Sequence, residues 1–270
     1  PDMEDTPMKN PGRTLSAAAL AAVIAAPVLA EDLTVTFKTT GTGGDGTSTQ
    51  YYSAERMRSR EGNQDTVFEY ASGTFTNIDH GKKEYSVITL AEIEEAMKAA
   101  RAQMEQATAQ MESMPASIRE RMEKMMGGMA GEVTVTKGGT REVAGYPTQE
   151  YIVTMGENVK MSMWNTTDVA LPIPEVSLKK LAAFTGPMAA VAQNPMFKGF
   201  GQIAEKMQEM EGFTLASESS IQMMGRAHDS SREATAVKAG PIPASEFDVA
   251  ALAPGYKKVD SPLSEIGKKQ

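Results

Sequence analysis

The sequence predicts an α+β domain in which a single antiparallel sheet carries its helices on one face. Three observations predict it. Short segments of alternating apolar and polar residues fill the first ninety positions and return after residue 133, each ended by Gly, Asn or Asp. One long helical pattern interrupts them. The 270 residues contain no cysteine and no long Pro/Ser/Gly linker, so one core must hold the fold without disulfides. We therefore expect one domain over 31–260, with helical insertions at 89–128 and 175–211, and a C-terminal tail at 261–270 that frays from Glu265 to Gln270.

The amino terminus reads as a secretory signal, expected to span 1–30. Lys9 and Arg13 form the positive region, Leu15 to Ala26 the short apolar core, and Val28-Leu29-Ala30 the small-x-small cleavage site. A core of about twelve residues falls short of the roughly twenty that span a bilayer. The expected mature chain starts at Glu31 and is periplasmic or secreted, with no transmembrane segment.

Leu33-Thr34-Val35-Thr36-Phe37-Lys38-Thr39 has the period of a half-buried strand. The glycines from Gly41 to Gly46 lack a Lys-Ser/Thr partner and lead into another strand, which marks a turn and not a phosphate cradle. Thr66 to Tyr70, Thr74 to Ile78 and Lys83 to Ile88 complete a meander. The turn Asp79-His80-Gly81 places His80 as a solvated residue.

Thr89 to Gly128 is the longest periodic signal and holds a large share of the 20 methionines. Steps of seven from Leu90 meet Met97, Met104, Met111, Ile118 and Met125, and the companion row holds Ile93, Ala100, Ala107 and Met114. Thr89 with Glu92 forms a capping box, Gly127 and Gly128 a stop, and Pro115 predicts a kink near Met114. Beyond it, Val133 to Thr136 is a strand turning at Gly138-Gly139. Tyr151 to Met155 and Val159 to Trp164 form a hairpin, with Val159, Met161 and Met163 opposite in face to Trp164. Leu178, Leu181 and then Phe200, Ile203, Met207 and Met210 mark the second helical segment. Phe213 to Met223 and Ser230 to Lys238 are the last strands, and Gly240-Pro241-Ile242-Pro243 ends regular structure.

Several phrases, taken in order, resemble a known family. They are Gly44-Asp45-Gly46-Thr47-Ser48-Thr49, Tyr51 to Arg58, Ile78-Asp79-His80, Val143-Ala144-Gly145-Tyr146-Pro147 and Gly255 to Val259. The chain resembles the bacterial exported family named Domain of Unknown Function 4412. That resemblance implies an extracytoplasmic protein whose curved sheet is similar to the half-open barrel of the periplasmic lipoprotein carriers of the Lol type. No catalytic or ligand residues carry over from it.

For function, a net charge of -8 leaves no basic footprint for nucleic acid. His228-Asp229-Ser230 is not a triad, because neighbours on a strand point to opposite faces. No catalytic residue, metal ligand or cofactor is expected. The leading expectation is an exported, non-enzymatic binding protein that holds a lipid, acyl chain or hydrophobic peptide between sheet and helix. Its expected lining is Ile93, Met97, Met104, Met111, Met114, Ile118, Met161, Met163 and Trp164, since flexible thioethers suit variable apolar partners. The alternative is a protein partner docked on the methionine seam. A minor alternative is Cu(I) held by Met111 and Met114, or by Met122, Met125 and Met126, whose helical spacing brings soft sulfurs together.

Overall fold

The computed structural model describes residues 31–42, 44–112, 133–156, 158–177, 202, 205–207, 209–223 and 226–264. The expected signal segment, Met114, Ile118, Met122, Met125, Met126 and most of the segment 175–211 lie outside them. Among the described residues twelve strands form one unclosed sheet. β1 (Leu33–Gly41), β2 (Gly46–Tyr52), β3 (Arg56–Glu61), β4 (Gln64–Glu69), β5 (Thr74–Asp79) and β6 (Glu84–Thr89) make the expected meander. The helix α1 (Leu90–Glu112) follows directly. A second meander runs through β7 (Val133–Val143), β8 (Tyr146–Met155), β9 (Val159–Thr166), β10 (Phe213–Met223) and β11 (Arg226–Ala239).

Spatially the order is β12-β6-β5-β4-β3-β2-β1-β11-β10-β9-β8-β7, where β12 is the pair Lys257–Lys258. Every pairing is antiparallel except that of β12 with β6. The two meanders meet at one seam, where β1 pairs with β11 from Leu33↔Ala239 to Gly41↔Ser230.

The start of α1 is as the sequence predicts. The Thr89 hydroxyl accepts from the Glu92 amide at 3.2 Å, and Glu92 Oε2 accepts from the Thr89 amide at 2.8 Å. Among the described side chains of α1 the deepest are Ala96 and Ala99, while Ile93 and Met97 are half-buried. A narrow stripe of small side chains therefore faces inward at this end. β7 departs from expectation: the strand continues through Gly138-Gly139 by means of a register shift between Lys137 and Thr140. The chain turns instead at Ala144-Gly145, with φ of 51° and 85°, a left-handed pair that forms a tight hairpin between β7 and β8.

Two core clusters are built from alternate strand positions. One gathers Leu33, Val35, Phe37, Tyr52, Trp164 and Leu215; the other gathers Val133, Val153, Met155 and Val159. After β11 the chain crosses the face of β1 to β6 as a strap. The Asp32 carbonyl accepts from the Gly240 amide at 2.9 Å and the Asp32 carboxylate from the Ile242 amide at 3.0 Å. A 3-10 turn (Ala244–Glu246) and α2 (Val249–Leu252) follow, and β12 then pairs along the outer edge of β6. Phe247 and Ala253 are the buried apolar residues of the strap itself.

Candidate functional site

Residues opposite each other in register share a face of the sheet, and this places two polar constellations on the same face. The first joins strap to sheet. Arg58 and Asp65, on β3 and β4, are 2% and 1% exposed. Arg58 donates from Nε and Nη2 to the two oxygens of Asp65 at 3.2 and 2.9 Å, the forked geometry that best compensates two buried charges. Its Nη1 donates to the Glu246 carbonyl at 3.1 Å and also pairs with the Glu246 carboxylate. His80 does not stand free as a solvated turn residue. Its Nε2 lies 2.8 Å from Asp65 Oδ2 and its Nδ1 lies 3.0 Å from the Tyr256 hydroxyl. The sequence reading placed the turn correctly but missed that the imidazole points inward to a buried carboxylate. Arg58 Nη1 and His80 Nδ1 reach the strap, and Asp65 holds both side chains in place beneath it.

The second constellation is a groove of about 500 Å³ over β9, β10, β11 and β1. Its side chains come in cross-strand rows. One row is Lys160, Ser220 and Asp229; the next is Ser162, Glu218 and Ser231. Ser231 continues to Thr40 on β1, and their hydroxyls lie 2.7 Å apart. Backbone packing sets the floor: a Cβ on Gly41 would stand 2.5 Å from the Asp229 carbonyl oxygen, so only glycine lets β1 and β11 approach here. Along β9 the next residue on this face is Trp164, which is 9% exposed. The Arg141 guanidinium lies 4.0 Å from its ring centre and donates to Glu233 at 2.9 Å, while its Nε has no partner.

The opposite face is aromatic. Phe68 stacks on Phe75 at 4.2 Å, and Tyr52 meets Phe213 edge-on at 5.9 Å. The Arg232 guanidinium lies 3.6 Å from the Phe37 ring centre, and burial lowers its pKa against the opposing pull of Tyr52. The Tyr70 hydroxyl is buried without a hydrogen-bond partner.

Of the residues expected for an apolar ligand, those whose side chains are described, Ile93, Met97, Met161, Met163 and Trp164, do not line the groove. Met161 packs against the second core cluster and Trp164 belongs to the first. Met163 is buried, Ile93 and Met97 lie on α1, and of Met104 and Met111 only the helical backbone is described. The groove residues themselves were passed over by the sequence reading. Their signal was Ser217-Glu218-Ser219-Ser220 and Asp229-Ser230-Ser231, where both alternating positions of adjacent strands are polar and no apolar row faces inward.

No family model matches the chain, and no curated protein matches it. Among solved structures, an uncharacterized conserved protein from Thermus thermophilus is 7% identical, with a TM-score of 0.41 over 86% of this chain and 92% of that one. MucB of Pseudomonas aeruginosa, solved with MucA, is 11% identical, with a TM-score of 0.36 over 82% and 56%. PNGF-II is 10% identical, with a TM-score of 0.39 over 89% and 33%. The chain thus spans about a third of PNGF-II and about half of MucB. Likeness at this level carries no argument about activity or partner.

Proposed function

We propose that this chain is an exported, non-enzymatic binding protein whose ligand is seated in the groove over β9, β10, β11 and β1. The observation that carries the reading is a concavity of about 500 Å³ whose described lining residues, Gly41 apart, are all of polar or charged type. Ligand sites commonly measure about 300–1,000 Å³. Lys160, Ser220, Glu218 and Asp229 stand on paired central strands, so the scaffold orients them rigidly. Binding is favoured over catalysis because the hydroxyls of Thr40 and Ser231 bond each other, and among the described residues no base bonds them. Export rests on the signal pattern over 1–30 and on the resemblance to an exported family. No helix among the described residues is long and apolar enough to cross a membrane.

The test is a thermal-shift screen of small polar compounds against the mature chain and Ser220→Trp, which fills the groove. Compounds that raise Tm in the parent and not in the variant support the reading. A screen whose every hit survives Ser220→Trp, or that yields none, overturns it.

A second reading keeps the apolar cargo. Arg232 over Phe37, with the partnerless Tyr70 hydroxyl buried on the same aromatic side of the sheet, offers polar groups for the head of an acyl chain. Organic extraction of the purified protein followed by mass spectrometry decides it: stoichiometric lipid favours this reading, and its absence removes it.

A further inference from the structure

We infer that the ligand of the groove is a neutral polyhydroxylated molecule, an oligosaccharide of two or three rings. This inference rests on the groove being the binding site and names what enters it. Two carboxylates, Glu218 and Asp229, face one ammonium, Lys160, across adjacent rows. Lys160, Glu218 and Asp229 are all exposed, and with two acids to one ammonium the groove carries a net negative charge that disfavours a phosphate or carboxylate ligand. A polyamine would meet the Lys160 ammonium at the end of the row that carries Asp229. A bare metal ion finds no cluster of three or more His, Cys, Asp or Glu side chains among the described residues.

Among the described residues no apolar side chain lines the groove, so a lipid tail finds no row of apolar side chains to bury against. A peptide adding as a strand needs an open sheet edge, and β9, β10, β11 and β1 are each paired on both sides. What remains is a neutral ligand rich in groups that both donate and accept.

The lining matches such groups one by one. A carboxylate takes two neighbouring hydroxyl donors at once, Lys160 donates to ring or hydroxyl oxygens, and Ser162 and Ser220 do either. Ser220 sits in register between Lys160 and Asp229, so donor, donor-acceptor and acceptor stand about 4.8 Å apart across the strands. That spacing presents an array to several hydroxyls of one ring and to those of the next.

The test is calorimetric titration of the mature chain with maltotriose, cellotriose and N-acetylchitotriose, beside citrate, spermidine and triglycine. Parallel titrations use Glu218→Gln, Asp229→Asn and Ser220→Trp, each checked for an unchanged Tm, with Ser72→Ala as a control far from the groove. The expected result is binding of at least one neutral trisaccharide. Each amide variant should weaken it by about tenfold or more, because each deletes a charge-assisted acceptor. Ser220→Trp should abolish it.

If citrate, spermidine or triglycine binds and is lost in Ser220→Trp while no sugar binds, the ligand class is overturned and the groove stands as a site. If a sugar binds and Ser220→Trp leaves it unchanged, the groove itself is overturned. If no compound binds, both fall.

Discussion

The Tyr52 hydroxyl shows how one side chain ties the stability of this fold to pH. It donates to Gln50 Oε1, and burial pushes its pKa up to about 12, opposed by the nearby Arg232 guanidinium. The folded state therefore prefers the neutral phenol, and the unfolded chain ionises near the usual 10. Stability tied to Tyr52 is fully present below pH 10 and is lost as pH rises towards 12, by at most about 3 kcal/mol at about 1.4 kcal/mol per unit. Urea unfolding at pH 9 and pH 11.5 should show that loss in the parent and a smaller one in Tyr52→Phe; equal losses would remove Tyr52 from the account. Tyr70, whose pKa is also raised by burial and by Tyr52 beside it, is the contrast. Its hydroxyl bonds nothing, so Tyr70→Phe discards no hydrogen bond and should leave stability at neutral pH unchanged or higher. Little at this scale was legible in the sequence. His80 reads correctly as a turn residue, yet its partners Asp65 and Tyr256 lie 15 and 176 positions away. Local periodicity carries no information across such spans.

Elements whose cause is local were legible, and elements whose cause is distant were not. The capping box of α1 is decided by two residues three apart, so Thr89 and Glu92 announced it. Strands β1 to β6 were legible because alternation and turn residues agree. The passage of β7 through Gly138-Gly139 was not, because a bulge and a turn share the same glycines. The strap was invisible as an element, since its Pro241 and Pro243 exclude helix and sheet but do not say what the segment covers. Its anchors now supply a prediction. Arg58→Ala leaves Asp65 buried with only His80 and should cost about 3–5 kcal/mol. Glu246→Ala removes an anchor that is itself 38% exposed and should cost less, about 1–2 kcal/mol. Hydrogen exchange should then rise across 240–259 and along β6, and remain unchanged in the β8–β9 hairpin. Uniform acceleration everywhere would mean that the segment is core and not a strap.

For the whole molecule, the decisive feature is that two meanders, each made of sequence neighbours, become one sheet only at the β1–β11 seam. Thr40 and Ser231, bonded across it, are 191 residues apart, so closing the seam costs loop entropy before its contacts repay it. The groove straddles this seam, with Lys160, Glu218 and Asp229 on one side and Thr40 on the other. Damage at the seam and binding in the groove should therefore be linked. Gly41→Val is the direct probe: its first side-chain carbon would stand 2.5 Å from the Asp229 carbonyl oxygen and 2.8 Å from Ser230 Cα, so β1 and β11 must part. We expect a clear fall in Tm, slower refolding, and joint loss of amide protection in β1, β2, β10 and β11. A ligand that engages both sides of the seam binds only the closed form. Saturating concentrations should thus restore much of the lost Tm, by about 2.7 kcal/mol at a hundred times Kd. If the variant loses stability and ligand gives it no more protection than it gives a variant weakened far from the seam, such as Val153→Ala, binding acts on one meander alone and the link between groove and closure is refuted.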